Sequence, residues 1–259
     1  MLHFALIGEK LGHSLSRPIH ENLYRELGID AEYRAIEIPR DRFDETVTGL
    51  LDTLDGFNVT IPYKQTVMPL LDTLDDFAAG IGAVNTVTCR DRSGHNTDAP
   101  GFAAMLRYHG IQPAGQPCFV LGNGGASKAV CAALKSMGAA SVTLVSRHPG
   151  GEIIGYDALA ERFSGILVNC TPAGMWPDVT GCPVAPDRLP GLLRRASGVA
   201  DIIYNPAETV LTRAAKAAGV PACTGLYMLV AQAVEAERLW LGRDIPEDMN
   251  ALLLKRLTL

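Results

Sequence analysis

The sequence predicts an α/β protein of two domains, the second inserted between an N-terminal α/β region and C-terminal helices that pack back on the first. Three observations carry this. Strand-like and helix-like stretches alternate along most of the 259 residues, the pattern of a sheet covered by helices. A short apolar run, Phe119-Val120-Leu121, ends in the turn Gly122-Asn123-Gly124-Gly125-Ala126 and passes into an alanine-rich helical pattern from Ser127 to Met137. The composition, 47% hydrophobic and 20% charged, is that of a folded chain rather than a disordered one.

In order, Leu2–Ile7 reads as a buried strand ending at Gly8. Pro18–Leu27 has helical spacing (Ile19, Leu23, Leu27) and stops at Gly28. Tyr33–Ile38 alternates as a strand and breaks at Pro39, and Phe43, Val47 and Leu50/Leu51 mark another helix. Gly56–Thr60 is a short strand, and Pro62 suits the first turn of a helix continuing through Lys64. Val84–Cys89 reads as a strand with a turn at Ser93-Gly94, and a long helix runs from about Thr97 to Tyr108.

Then come the strand, glycine turn and helix already described, followed by the strand Ser141–Val145: a βαβ unit. Further apolar segments lie at Ile166–Val168 and Val199–Ile203, and helical patterns at Glu208–Ala218, Leu226–Leu241 and from Pro246 to Leu257. The domains are expected at 1–98 with 227–259, and at 99–226.

A net charge of −5 makes no electrostatic case for nucleic acid or an anionic membrane. The N-terminal residues read as a strand, not a secretory leader, and no apolar run approaches membrane-spanning length. Cys89, Cys118, Cys131, Cys170, Cys182 and Cys223 form no C-x-x-C pair and read as buried thiols of a reducing, cytoplasmic protein. His13 and His20 lack metal-ligand spacing, so no metal is expected.

The glycine turn carries the first chemistry. Glycines let a backbone approach a pyrophosphate, and unpaired N–H groups at the following helix start point at it. Gly122 and Gly124 fit G-x-G-x-x-G/A, but Ser127 stands at the third position, and a glycine turn without function remains the alternative. The end of the next strand reads Ser146-Arg147-His148 with no carboxylate. That favours NADP over NAD, because a guanidinium can fork onto a 2′-phosphate; an ordinary exposed arginine is the bland reading.

Upstream, Gly12-His13-Ser14-Leu15-Ser16 sets two hydroxyls two residues apart, suited to a carboxylate or merely to a turn. Asn58-Val59-Thr60-Ile61-Pro62-Tyr63-Lys64 adds polar side chains and a lysine, and Asn96-Thr97-Asp98 brings a carboxylate to a helix start, where it could be a cap.

Taken together and in order, these blocks resemble the shikimate dehydrogenase family over nearly the whole chain. The others are Gly82-Ala83-Val84-Asn85-Thr86-Val87, Asn169-Cys170-Thr171-Pro172-Ala173-Gly174-Met175, Asp201-Ile202-Ile203-Tyr204-Asn205-Pro206 and Gly225-Leu226-Tyr227-Met228-Leu229 with Gln232. The resemblance implies a Rossmann-type NADP-binding domain and NADPH-linked reduction of 3-dehydroshikimate to shikimate, in aromatic amino-acid biosynthesis. It makes Lys64 and Asp98 the catalytic pair. Ser14 and Ser16 would hold the substrate carboxylate, and Thr60, Lys64, Asn85, Asp98, Tyr204 and Gln232 its ring. Gly122, Asn123, Gly124, Gly125, Ala126, Ser146 and Arg147 would bind the cofactor, with Ile202, Gly225 and Met228 near the nicotinamide. A quinate/shikimate or aminoshikimate dehydrogenase, using NAD or NADP, is the alternative.

Three departures stand out. Arg17 precedes Pro18 where the family has proline directly after the second serine, and Glu21 replaces an asparagine. Ser146-Arg147-His148 stands for Asn-Arg-Thr, which keeps the arginine but weakens its neighbouring phosphate donor.

Overall fold

The computed structural model describes residues 1–12 and 14–257; His13, inside the two-serine motif, and Thr258 and Leu259 lie outside the described residues. In chain order the elements are β1 (Leu2–Gly8), α1 (Ser16–Leu27), β2 (Ala31–Glu37), α2 (Phe43–Thr53), β3 (Gly56–Val59), β4 (Thr73–Leu74), α3 (Asp76–Ile81), β5 (Thr86–Thr88) and β6 (Ser93–His95). They continue with α4 (Asp98–Tyr108), β7 (Pro117–Leu121), α5 (Gly125–Ser136), β8 (Ser141–Val145), α6 (Tyr156–Arg162), β9 (Gly165–Asn169), α7 (Leu189–Leu193), β10 (Ala196–Asp201), α8 (Val210–Ala217), β11 (Ala222–Cys223), α9 (Leu226–Leu241) and α10 (Asp248–Leu257). The chain divides into two compact units, Met1–Asp98 with Val230–Leu259, and Ala99–Leu229.

The first unit is built on a six-stranded mixed sheet in the order β2-β1-β3-β5-β6-β4. β1 pairs in parallel with both β2 and β3, and β5 runs antiparallel to β3 and to β6. Along β1 the side chains alternate between two cores. Ala5 and Ile7 join Phe43, Val47, Leu51, Phe57 and Tyr63 on one side, while Phe4 and Leu6 join Tyr24, Tyr33, Ala236 and Trp240 on the other. Helices therefore cover both faces, as a largely parallel centre demands. Helix α1 ends where Gly28 takes the left-handed conformation (φ 62°) and returns its N–H to the last carbonyls.

The second unit is a five-stranded, fully parallel sheet in the order β11-β10-β9-β7-β8. Read from β7, this is the doubly wound order 2-1-3-4-5, with the reversal between β7 and β9, where such sheets open a ligand crevice. One face is filled by Phe119, Leu121, Leu159, Phe163, Leu167, Leu192, Val199 and Leu211.

Two local expectations are corrected. Residues 61–67 do not continue a helix through Lys64; they form successive turns leading into a 3-10 turn at Met68–Leu70. The Lys64 carbonyl accepts the Val84 N–H at 2.7 Å instead of a helical partner, so a long-range bond replaces the helical ladder. The second correction concerns the turn expected at Ser93-Gly94. Those residues open β6, and the turn is Cys89–Arg92, with Arg92 at φ 48°. Gly94 is demanded by packing, because a Cβ there would meet Leu71, Val84 and Leu74 within 2.9 Å.

Candidate active site

Topology gathers polar residues at one end of the first sheet. β1 and β3 run in parallel with Ile7 opposite Val59, so the serine loop after β1 and the Thr60–Lys64 turn after β3 leave from the same end. β5 begins there too, with Thr86 opposite Asn58, and β6 returns there with His95 opposite Thr86. Asn85 just precedes β5, and Asp98 follows β6 at the first turn of α4. Gly8 sits between the Leu11 and Thr60 side chains, where any Cβ would collide with both.

At this end the Lys64 Nζ donates to Asp98 Oδ2 at 2.5 Å, and Asn85 Nδ2 donates to Asp98 Oδ1 at 3.0 Å. Both Asp98 oxygens thus face side chains brought in from other segments of the chain. Lys64 is 27% and Asp98 15% exposed, which leaves the ammonium accessible to a bound molecule. Asn85 cannot turn its amide over, because its Oδ1 accepts the Thr97 backbone N–H at 2.7 Å. Behind it, Asn58 Nδ2 donates to Thr86 Oγ1 (3.0 Å), Thr86 Oγ1 to Asn85 Oδ1 (3.1 Å), and Tyr33 Oη to Asn58 Oδ1 (2.7 Å). Thr97 Oγ1 donates to Gln232 Oε1 at 3.4 Å, bringing α9 into the same network.

Ser14 and Ser16 face each other: Ser14 Oγ donates to Ser16 Oγ, and accepts the Ser16 N–H, both at 3.2 Å. Among the described residues no hydrogen bond joins this pair, or Thr60, to Lys64 and Asp98. The remaining residue expected at the substrate, Tyr204, lies in the second unit, half-buried just after β10. Asn58, Thr86 and Thr97 were given no role by sequence reasoning; the signal available was their place inside the Asn58–Lys64, Asn85-Thr86 and Asn96–Asp98 blocks.

A Ser–His–Asp arrangement also occurs, with Ser93 Oγ 2.9 Å from His95 Nε2 and His95 Nδ1 3.1 Å from Asp75 Oδ2. Ser93 is buried and its hydroxyl donates to Asp91 at 2.7 Å, while Asp75 Oδ1 caps α3 by accepting the Ala78 N–H. It braces β6 and offers no free nucleophile.

The second unit carries a cavity of about 930 Å³ at the carboxyl ends of β7, β8 and β9. Gly122, Asn123 and Gly124 line it, with Ser146, Arg147, His148 and Tyr156, the segment Cys170–Ala173, and Arg188. Gly122 adopts φ +95°, and a Cβ there would press on Thr171 and the Cys170 carbonyl at 3.1–3.3 Å; both conformation and space require glycine. Gly124 caps α5 with no side-chain partner, and a Cβ on Gly124 or Gly125 would meet open space. The serine at the third fingerprint position is buried and donates its hydroxyl to the Gly124 carbonyl at 2.7 Å, so it ties the turn from behind.

Arg147 is exposed and forms no ion pair with a described residue. Burial pushes the nearby Tyr156 phenol up, and the Arg147 cation partly offsets this. Ser146 Oγ accepts the His148 N–H at 3.2 Å. A glycine turn at a helix start and an unpaired guanidinium at the next strand end fit a pyrophosphate and a 2′-phosphate. Gly125, Ala126, Ile202, Gly225 and Met228 are not among the cavity's lining residues. Gly225 donates its N–H to the Ile203 carbonyl at 2.8 Å, and a Cβ on it would collide with the Ile202 carbonyl.

Comparison with known proteins identifies the family. Residues 6–87 match the family model described as the shikimate dehydrogenase substrate binding domain, and residues 225–248 that of the shikimate 5'-dehydrogenase C-terminal domain. The chain is 40% identical to a shikimate dehydrogenase (NADP(+)) of Clostridium beijerinckii, over 93% of this chain and 92% of that one. The chain belongs to the shikimate dehydrogenase family. Among solved structures of that family, the Thermus thermophilus shikimate 5-dehydrogenase in complex with NADP(H) and shikimate superposes with a TM-score of 0.87 at 32% identity, covering 99% of each chain. A quinate dehydrogenase from Corynebacterium glutamicum in complex with NAD superposes with a TM-score of 0.86 at 28% identity, over 100% of this chain and 99% of that one. The family fold is thus shared by enzymes named for different substrates and crystallised with different cofactors.

Proposed function

We propose that the protein is a shikimate dehydrogenase, reversibly reducing 3-dehydroshikimate to shikimate with NADPH in the route to chorismate and the aromatic amino acids. The observation that carries this is the Lys64–Asp98 pair, held at 2.5 Å and accessible at the end of the sheet.

Reduction of a ketone moves negative charge onto the carbonyl oxygen, and that oxygen must end as a hydroxyl. When bound, the reduced nicotinamide cofactor supplies the hydride. Lys64 places an ammonium at the oxygen, stabilises the developing charge and donates the proton that completes the alcohol; solvent restores it. Asp98 holds the ammonium in place through the hydrogen bond to its Oδ2. Asn85, by fixing the Asp98 carboxylate, restricts the pair to one geometry. In the oxidative direction Lys64, as the uncharged amine left after proton donation, accepts the hydroxyl proton as the hydride departs to the oxidised cofactor.

Ser14 and Ser16 are read as the carboxylate site, since paired hydroxyls can both donate to one anion. Thr60, Asn85, Asp98, Tyr204 and Gln232 are read as partners of the ring hydroxyls. The Gly122–Ala126 turn would hold the pyrophosphate, Arg147 with Ser146 the 2′-phosphate, and Ile202, Gly225 and Met228 the nicotinamide end. The partner is a small-molecule substrate; a cytoplasmic location and a monomer or homodimer complete the reading, checked by cell fractionation and by light scattering.

Quinate/shikimate and aminoshikimate dehydrogenases are the second reading, because their substrates differ by one ring substituent. A steady-state assay crossing shikimate and quinate with NADP⁺ and NAD⁺ separates them. Shikimate with NADP⁺ is expected to react far faster than quinate with NAD⁺, and comparable rates would move the assignment to the quinate class.

A further inference from the structure

Helix α1 presents Ser16, His20 and Tyr24 at intervals of four residues, so the three lie along one buried face. His20 Nδ1 lies 2.6 Å from Glu237 Oε1, and Tyr24 Oη donates to the same oxygen at 2.7 Å. Glu237 belongs to α9, which also carries Gln232. Neither His20 nor Glu237 exposes any surface. The imidazole is stacked on Tyr33 at 4.0 Å between centroids, and Tyr33 in turn donates to Asn58 of the network behind Asp98. Burial and the Glu237 carboxylate push the Tyr24 phenol far up, so it remains a donor throughout the working pH range.

Such a cluster is a poor way to gain stability. Two ionisable groups are fully desolvated, and His20 Nε2 and Glu237 Oε2 find no partner among the described residues. Apolar side chains of similar volume generally fill a site like this at no loss. What apolar packing cannot supply is direction: one carboxylate oxygen receiving two donors from α1 fixes how far α1 is rotated and how far it slides past α9. Ser16 begins α1, one turn before His20, so its hydroxyl moves with that setting.

We propose that His20 and Glu237, with Tyr24, are positioning residues that set the Ser14–Ser16 hydroxyl pair for the substrate carboxylate. This rests on the reading of those serines as the carboxylate site. The cluster acts through α1 and touches neither substrate nor cofactor, so its loss is felt in substrate affinity before turnover.

The test uses the whole enzyme and three variants: the apolar replacement His20→Phe/Tyr24→Phe/Glu237→Leu, the shortened carboxylate Glu237→Asp, and Ser16→Ala as a control on the serine reading. Each is assayed for KM with shikimate, kcat, Kd for NADP⁺ by fluorescence, and denaturation midpoint. For the first two, KM for shikimate is expected to rise about ten-fold, with kcat within about two-fold and the NADP⁺ Kd unchanged. If the apolar variant fails to fold, Glu237→Asp decides alone. A raised KM in Ser16→Ala with a parental KM in Glu237→Asp, or in a folded apolar variant, overturns this inference alone. A parental KM in Ser16→Ala overturns the serine reading and this inference with it. Parallel losses of kcat, NADP⁺ binding and stability in Glu237→Asp would mark a merely structural role and also overturn it.

Discussion

Asn85 shows how a single amide can set a charged pair: because its oxygen is taken by the Thr97 N–H, its NH₂ is turned toward Asp98, and the second carboxylate oxygen is left for Lys64. On the proposed mechanism, replacing Lys64 by alanine removes both the proton donor and the cation at the carbonyl oxygen. Turnover is expected to fall by a factor on the order of 10³ or more while NADP⁺ affinity stays at its parental value; undiminished turnover would remove Lys64 from the mechanism. A second residue-scale consequence belongs to Asp201, fully buried at the end of β10. Burial raises its carboxyl to about 6 from the ordinary 3.8, against the opposing bonds from the Ile203 N–H, Asn169 and Thr209. The folded protein then binds this proton more tightly than the unfolded chain does. The group's contribution to stability is complete below about pH 4 and is lost as pH rises through about 6, a change of roughly 3 kcal/mol. Denaturant midpoints compared from pH 4 to 7 should show this decline in the parent and a flatter profile in Asp201→Asn; identical profiles would assign the titration elsewhere.

The strand–turn–helix of β7 and α5 is the element on which cofactor binding depends in the proposed reading. Gly122→Ala would force a side chain into a left-handed backbone and against Thr171 and the Cys170 carbonyl. NADP⁺ affinity should drop by about ten-fold or more, equivalent to about 1.4 kcal/mol, with the Kd for shikimate unchanged; titration calorimetry with each ligand separately checks both. Long elements were legible because their apolar residues repeat with a clear period, as at α1, α9 and β1. The short helices α3, α6 and α7, of 6, 7 and 5 residues, escaped notice because so few positions cannot display a helical period. The turn at 61–67 and the glycine of β6 were misread for a related reason. Proline and glycine mark local conformation, whereas here a carbonyl bonded to Val84 and three aliphatic side chains around Gly94 decided the outcome.

At the scale of the molecule, each unit has its own sheet, its own core and its own candidate ligand site. Ligands stabilise the structure they bind, by about 2.7 kcal/mol at a hundred times Kd. In hydrogen exchange, NADP⁺ alone should slow the segments around 119–127 and 144–148, and shikimate alone those around 14–16, 58–64, 85 and 96–98. Protection by each ligand confined to the other set would overturn the assignment of sites to units. The sequence by itself determined the fold class and the family, and it singled out Lys64, Asp98 and the glycine turn as candidates, because these reside in contiguous blocks whose spacing survives without coordinates. Only the tertiary structure decided that Asn58, Asn85 and Thr97 orient Asp98, that Asp201 is buried beneath three donors, and that His20 meets Glu237, 217 residues away. Those partners are chosen by strand register and helix packing, and residues far apart in the chain carry no mark of which one will lie opposite.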